Sequence, residues 1–124
     1  MGLASHTNEV TIAKPLGVIY QRANDLCIDA VVKNSRGLHL RPSRTLAEIA
    51  TKYENTIVNL EVGDTVLPIR GEMDVISLTV EHGTQITFST NGHYASNVLN
   101  ELYAAVETIN HRTYDGPEEP EEEF

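Results

Sequence analysis

The chain has 124 residues, with nine basic and eighteen acidic side chains and a formal net charge of −9. That length supports one domain, and the acidic balance, with two Phe, five Tyr and no Trp, argues against nucleic-acid binding. A single cysteine, Cys27, excludes an intrachain disulfide framework, and no apolar run nears the roughly 18 residues that span a bilayer. The N-terminus lacks the basic start and apolar stretch of a secretory signal. A soluble cytoplasmic protein is expected, with Cys27 a small packing residue.

Along the chain, Val10-Thr11-Ile12-Ala13 and Gly17-Val18-Ile19-Tyr20 each have the composition of a short strand, with Pro15 between them. An extra edge strand, a mobile arm and a remnant of expression all fit residues 1–26. Residues 28–33 read as a strand. Downstream, Leu46, Ile49, Ala50 and Tyr53 fall on one face of a helix over 42–53. Alternation predicts a strand over 57–62, Gly63-Asp64 a hairpin turn, and 65–69 a returning strand that Pro68 places at an edge or an end. A short helix over 72–81 and a strand over 84–90 follow. Asn91-Gly92 then turns the chain into a helix over 94–111, where Val98, Leu102, Ala105 and Ile109 form a core-facing stripe. The order β-α-β-β-α-β-α predicts an α+β fold, an antiparallel sheet with helices on one face and the other face left to water or a partner. The segment 112–124 is expected to be a disordered acidic tail. Six acidic and no basic residues between Asp115 and Phe124 bury too little to fold. An inert role in solubility is favoured over autoinhibition for it.

The chemistry concentrates in Gly37-Leu38-His39-Leu40-Arg41-Pro42. Pro42 suits a first helical turn, which puts His39 just ahead of a helix N-terminus, where backbone N–H groups and the dipole favour anions. A neutral imidazole is a nucleophile near pH 7. Between Asp29 and Glu48 the chain has no acidic residue but carries Lys33, Arg36, Arg41 and Arg44. A basic patch on an acidic protein suits an anionic ligand or an acidic partner. The competing reading is a capping or solvated histidine. The patch around His39 favours a phosphoryl acceptor. His6, His82, His93 and His111 are too scattered to hold a metal.

This motif, extended through Ser43, resembles the active-site signature of HPr, the histidine phosphocarrier of the phosphoenolpyruvate-dependent sugar phosphotransferase system. The likeness continues through Lys52-Tyr53, Asn59-Leu60-Glu61, Met73–Leu78 and Gly83–Thr87, covering roughly 27–111. It implies the HPr-like open-faced β-sandwich, a four-stranded antiparallel sheet with three helices on one face, preceded by an extension (1–26) and followed by the tail. By the resemblance His39 is the acceptor through Nδ1, with Nε2 facing solvent, and Arg41 is the phosphate-stabilising arginine. Gly37 allows the turn, Pro42 fixes the helix start, and Arg36 and Arg44 add positive potential. The position of the family's regulatory serine holds Gly71, which has no hydroxyl to phosphorylate. Glu72 alters a docking patch to which Met73 and Ile76 still contribute if they are not core residues. The implied partners are Enzyme I and enzyme IIA domains, with regulators a further possibility. A monomer without cofactor or membrane insertion is expected, a phosphotransfer intermediate rather than a stand-alone turnover enzyme. Two alternatives stand beside the sugar branch: a nitrogen-branch regulatory carrier and a non-transferring regulatory binding module.

Overall fold

Alternation along the strands decides which side chains meet the helices. In the computed structural model, which describes residues 14–112, the elements are β1 (Tyr20–Arg22), β2 (Asp25–Val31), α1 (Leu40–Ala50), β3 (Asn59–Val62), β4 (Thr65–Pro68), α2 (Glu72–Ser77), β5 (Gln85–Thr90) and α3 (Ala95–His111). The sheet order is β1-β2-β5-β3-β4, and every neighbouring pair is antiparallel. The register sets Ile28, Phe88, Leu60 and Leu67 side by side across four strands. The first three are fully buried, in a core with Leu46 of α1, Val75 of α2 and Val98, Leu102 and Val106 of α3. Truncating Phe88 would cost about 3–5 kcal/mol by the usual scale for buried aromatics. Pro68 ends an edge strand, where its missing N–H removes nothing from the ladder.

The sheet has five strands rather than four. Tyr20–Arg22, within the segment whose structure the sequence left open, pairs with β2 through a tight turn at Ala23 and Asn24. Of the three readings for that arm, the described part supports an edge strand, which starts three residues later than the apolar pattern suggests and ends two later. The proposed strand at Val10–Ala13 and the tail from Thr113 lie outside the described residues. The helix predicted over 72–81 stops at Ser77 because Thr79 turns to a positive φ of 51°, and Val80 then offers its carbonyl to Leu38. α1 ends at Ala50, yet Tyr53 still packs against the core, and its hydroxyl donates to Glu101.

The face away from the helices is not simply left to water. Arg22 crosses from β1 to β3, past β2 and β5, and grips Glu61 with both terminal guanidinium nitrogens, Nη1 to Oε1 at 2.9 Å and Nη2 to Oε2. Ser89 Oγ donates to Glu61 Oε2 at 2.8 Å. Tyr20 and Thr87 hydroxyls both donate to Asp29 Oδ1, at 2.8 and 2.7 Å. Cys27, Asp29 and Ser89 are consequently buried on this face. Burial, and then the Asp29 carboxylate, push the Tyr20 phenol up to about 12. A β1 strand with long polar side chains thus roofs a polar stripe and satisfies its hydrogen bonds.

The Arg22 hydrogen bonds hold the Glu61 carboxyl below its ordinary range, helped by Ser89 and opposed by burial. A depressed carboxyl stabilises the fold fully above its unfolded pKa, near 4.3, and the gain is lost as pH falls through the lower folded value. Glu61→Gln should therefore lower the urea midpoint at neutral pH and lower it much less at about pH 2–3. Equal losses at both pH values would show that the carboxylate charge is not what stabilises this face.

Candidate functional site

The loop that carries His39 is held from three sides before the helix begins. At the exit of β2, Asn110 of α3 acts as a substitute strand: its Oδ1 accepts from the Lys33 amide at 2.7 Å, and its Nδ2 donates to the Val31 carbonyl at 2.8 Å. Asn34 then folds the chain over itself, accepting the Arg36 amide on Oδ1 and the Gly37 amide on its carbonyl, both at 2.9 Å. Leu38 donates its amide to the Val80 carbonyl at 2.9 Å. That last contact dictates Gly37. The residue has φ +67°, and a Cβ there would lie 2.2 Å from the Val80 oxygen. The buried Ser43 hydroxyl completes the clamp by donating to the Leu38 carbonyl at 3.0 Å.

His39 is the N-cap residue of α1, with extended backbone and no side-chain capping hydrogen bond. The first turn contains no acidic side chain to neutralise the positive end of the helix. Ser43 makes the first return bond, to the His39 carbonyl at 3.0 Å. Pro42, third in the helix and buried, has no N–H. The first-turn amides of Leu40 and Arg41 are therefore left without an acceptor inside the helix. Both ring nitrogens of His39 are covered from solvent, including the Nε2 expected to face water.

The other expected site residues separate into two groups. Arg41 and Pro42 line a cavity of about 360 Å³ with Thr45 of α1 and Thr108, Ile109 and Arg112 at the end of α3. Arg44 points elsewhere: its Nε meets Glu72 Oε1 at 2.9 Å and ties α1 to α2. The pair gives Glu72 a structural reason. Gly71 is the N-cap of α2, with extended backbone and open space around it, and its amide donates to Asp74 Oδ2 at 3.0 Å. Met73 is 65% exposed on the same helix, while Ile76 is half-buried. Arg36 lies half-buried in the turn before Gly37.

Residues 26–108 match the family described as "PTS HPr component phosphorylation site". The chain belongs to the HPr family. It is 38% identical over 77 residues to the multiphosphoryl transfer protein of Vibrio cholerae, a match covering 60% of this chain but only 19% of that protein. The chain thus spans about a fifth of that relative's length. The phosphocarrier protein HPr of Mycoplasma capricolum is 29% identical over 73 residues, covering 56% of this chain and 78% of its own. Among solved structures, HPr-C-His from Thermoanaerobacter tengcongensis superposes with a TM-score of 0.64 at 22% identity, over 70% of this chain and 97% of its own, a likeness of fold. No helix among the described residues is long and apolar enough to cross a membrane.

Sequence reasoning missed Asn110, Val80 and Arg112. The first two act through backbone contacts that leave no local pattern, and Arg112 lies beyond the 26–108 match. The Gly37 geometry makes a sharp forecast. Gly37→Ala should lower stability by about 2–4 kcal/mol, from positive-φ strain plus the clash with Val80. Gly71→Ala, with room for its Cβ, should cost about 1 kcal/mol or less. Urea unfolding of the two variants side by side checks the contrast. Equal losses would show that the Gly37–Val80 approach does not constrain the loop.

Proposed function

We propose that this chain is a phosphocarrier of the sugar phosphotransferase system. It takes a phosphoryl group onto His39 from phosphorylated Enzyme I and passes it to an enzyme IIA-type acceptor. The observation that carries this reading is His39 at the N-cap of α1, ahead of a first turn free of acidic side chains, with Arg41 two residues on. The Nδ1 lone pair attacks phosphorus in line. A P–N bond forms to His39 as the bond from phosphorus to the donor atom breaks, and the electron pair leaves with the donor. The amides of Leu40 and Arg41 and the Arg41 guanidinium face the charge on the phosphoryl oxygens. Transfer onward reverses the geometry, with the imidazole as leaving group. Little covalent work is asked of the protein, so loop rigidity and local charge are its main contributions.

Met73, exposed beside the Arg44–Glu72 pair, is the apolar contact offered to partners, with Ile76 behind it. A pure binding module has no chemical need for both His39 and Arg41, which weighs against that alternative.

Incubation with phosphoenolpyruvate and Enzyme I should phosphorylate His39, giving a label that is acid-labile and base-stable. His39→Ala should abolish labelling while leaving the thermal midpoint close to that of the parent. Labelling undiminished in that variant would sink the assignment.

Arg41→Ala should slow transfer in both directions by roughly 10- to 100-fold, the loss of one charge-assisted contact worth ~1.5–3 kcal/mol. Rapid-quench kinetics reading the parent rate would remove Arg41 from the mechanism.

A further inference from the structure

The cavity between α1 and α3 has two arginines in its lining. Arg41 comes from the first turn of α1, and Arg112 follows the last turn of α3. The Thr45 and Thr108 hydroxyls donate to the Arg41 and Ala104 carbonyls, so the two guanidinium groups are the donors the lining offers an anion, and Pro42 and Ile109 add apolar surface. Such a wall suits carboxylates on a short peptide. The chain itself supplies one. Residues 113–124 continue directly from Arg112 in the cavity wall, with acidic side chains at Asp115, Glu118, Glu119 and Glu121–Glu123 and no basic residue after Arg112. We propose that residues 113–124 dock in this cavity and compete with anionic partners for the site beside His39.

Composition alone favours an inert, solubilising run; the cavity at its origin gives it a place to bind. Reach is not limiting. Glu118 lies six residues beyond Arg112 and Glu123 eleven, so extended chain would carry them about 20 and 40 Å, and a bent chain returns easily. A tether this short gives an effective concentration of order millimolar, enough for weak charge pairing to be occupied. Arg112 and the acidic run lie beyond the residues matched by the family, so the device belongs to this chain rather than to the shared fold. The competitor role rests on the carrier reading, whereas docking does not.

The test keeps the full chain and removes only charge: Asp115→Asn together with Glu118→Gln, Glu119→Gln, Glu121→Gln, Glu122→Gln and Glu123→Gln. Amide NMR spectra of parent and neutralised chain should differ at low salt in two stretches, 41–45 and 105–112, and converge in about 1 M salt, where the Debye length is near 3 Å. Superimposable spectra at low salt, differences confined elsewhere, or differences that survive high salt would each overturn the docking. Phosphoryl transfer by the neutralised chain should be roughly 2- to 10-fold faster at low salt and equal at high salt. Equal rates at low salt would overturn the competitor role. If neither chain is phosphorylated on His39, the carrier reading fails, and the spectra still decide the docking.

Discussion

The close approach of Gly37 and Leu38 to the Val80 carbonyl is the constraint on which the site depends. The Leu38 amide reaches that oxygen at 2.9 Å only because residue 37 has no Cβ. Once this contact is made, the chain enters α1 with His39 at its N-cap and Leu40 and Arg41 as the first two helical residues. Ser43 and Asn110 hold the two sides of the same turn. A carrier meets donor and acceptor in succession, and one rigid presentation of the acceptor atom serves both encounters.

Charge is arranged to leave the His39 end of the molecule distinct. The chain is acidic overall, yet the stretch between Asp29 and Glu48 is purely basic. Ion pairs tie the elements together: Arg22 with Glu61 on the sheet face, Lys52 just after α1 with Glu101 of α3, and Arg44 of the basic stretch with Glu72 of α2. These exposed or half-exposed pairs add modest stability one by one.

Much of this was legible in the sequence because it follows local patterns. Alternation of Val58, Leu60 and Val62 placed β3, the Leu46–Tyr53 spacing placed α1, and Gly37 and Pro42 bracketed His39 at the helix start. β1 had no such signature. The strand composition lay in Gly17–Tyr20, and Gln21 and Arg22 beyond it join the strand through the edge that β2 offers. The holding contacts were invisible for another reason. Asn110 meets Lys33 and Val31 from 77 and 79 residues away, and Arg44 meets Glu72 from 28. Nothing near any of these residues announces its partner. The covered His39 nitrogens belong to the same class, since burial is a property of the assembled chain.

The central claim is that the first turn of α1 holds a phosphoryl group on His39. Its most direct test is the amide NMR spectrum of the full chain before and after phosphorylation, with the phosphorylated residue identified by mass spectrometry. Phosphate on His39 should move the Leu40 and Arg41 amides downfield further than any others, as they begin to donate to its oxygens. Phosphate on His39 with those two amides unmoved, or phosphate on a different residue, would contradict the account.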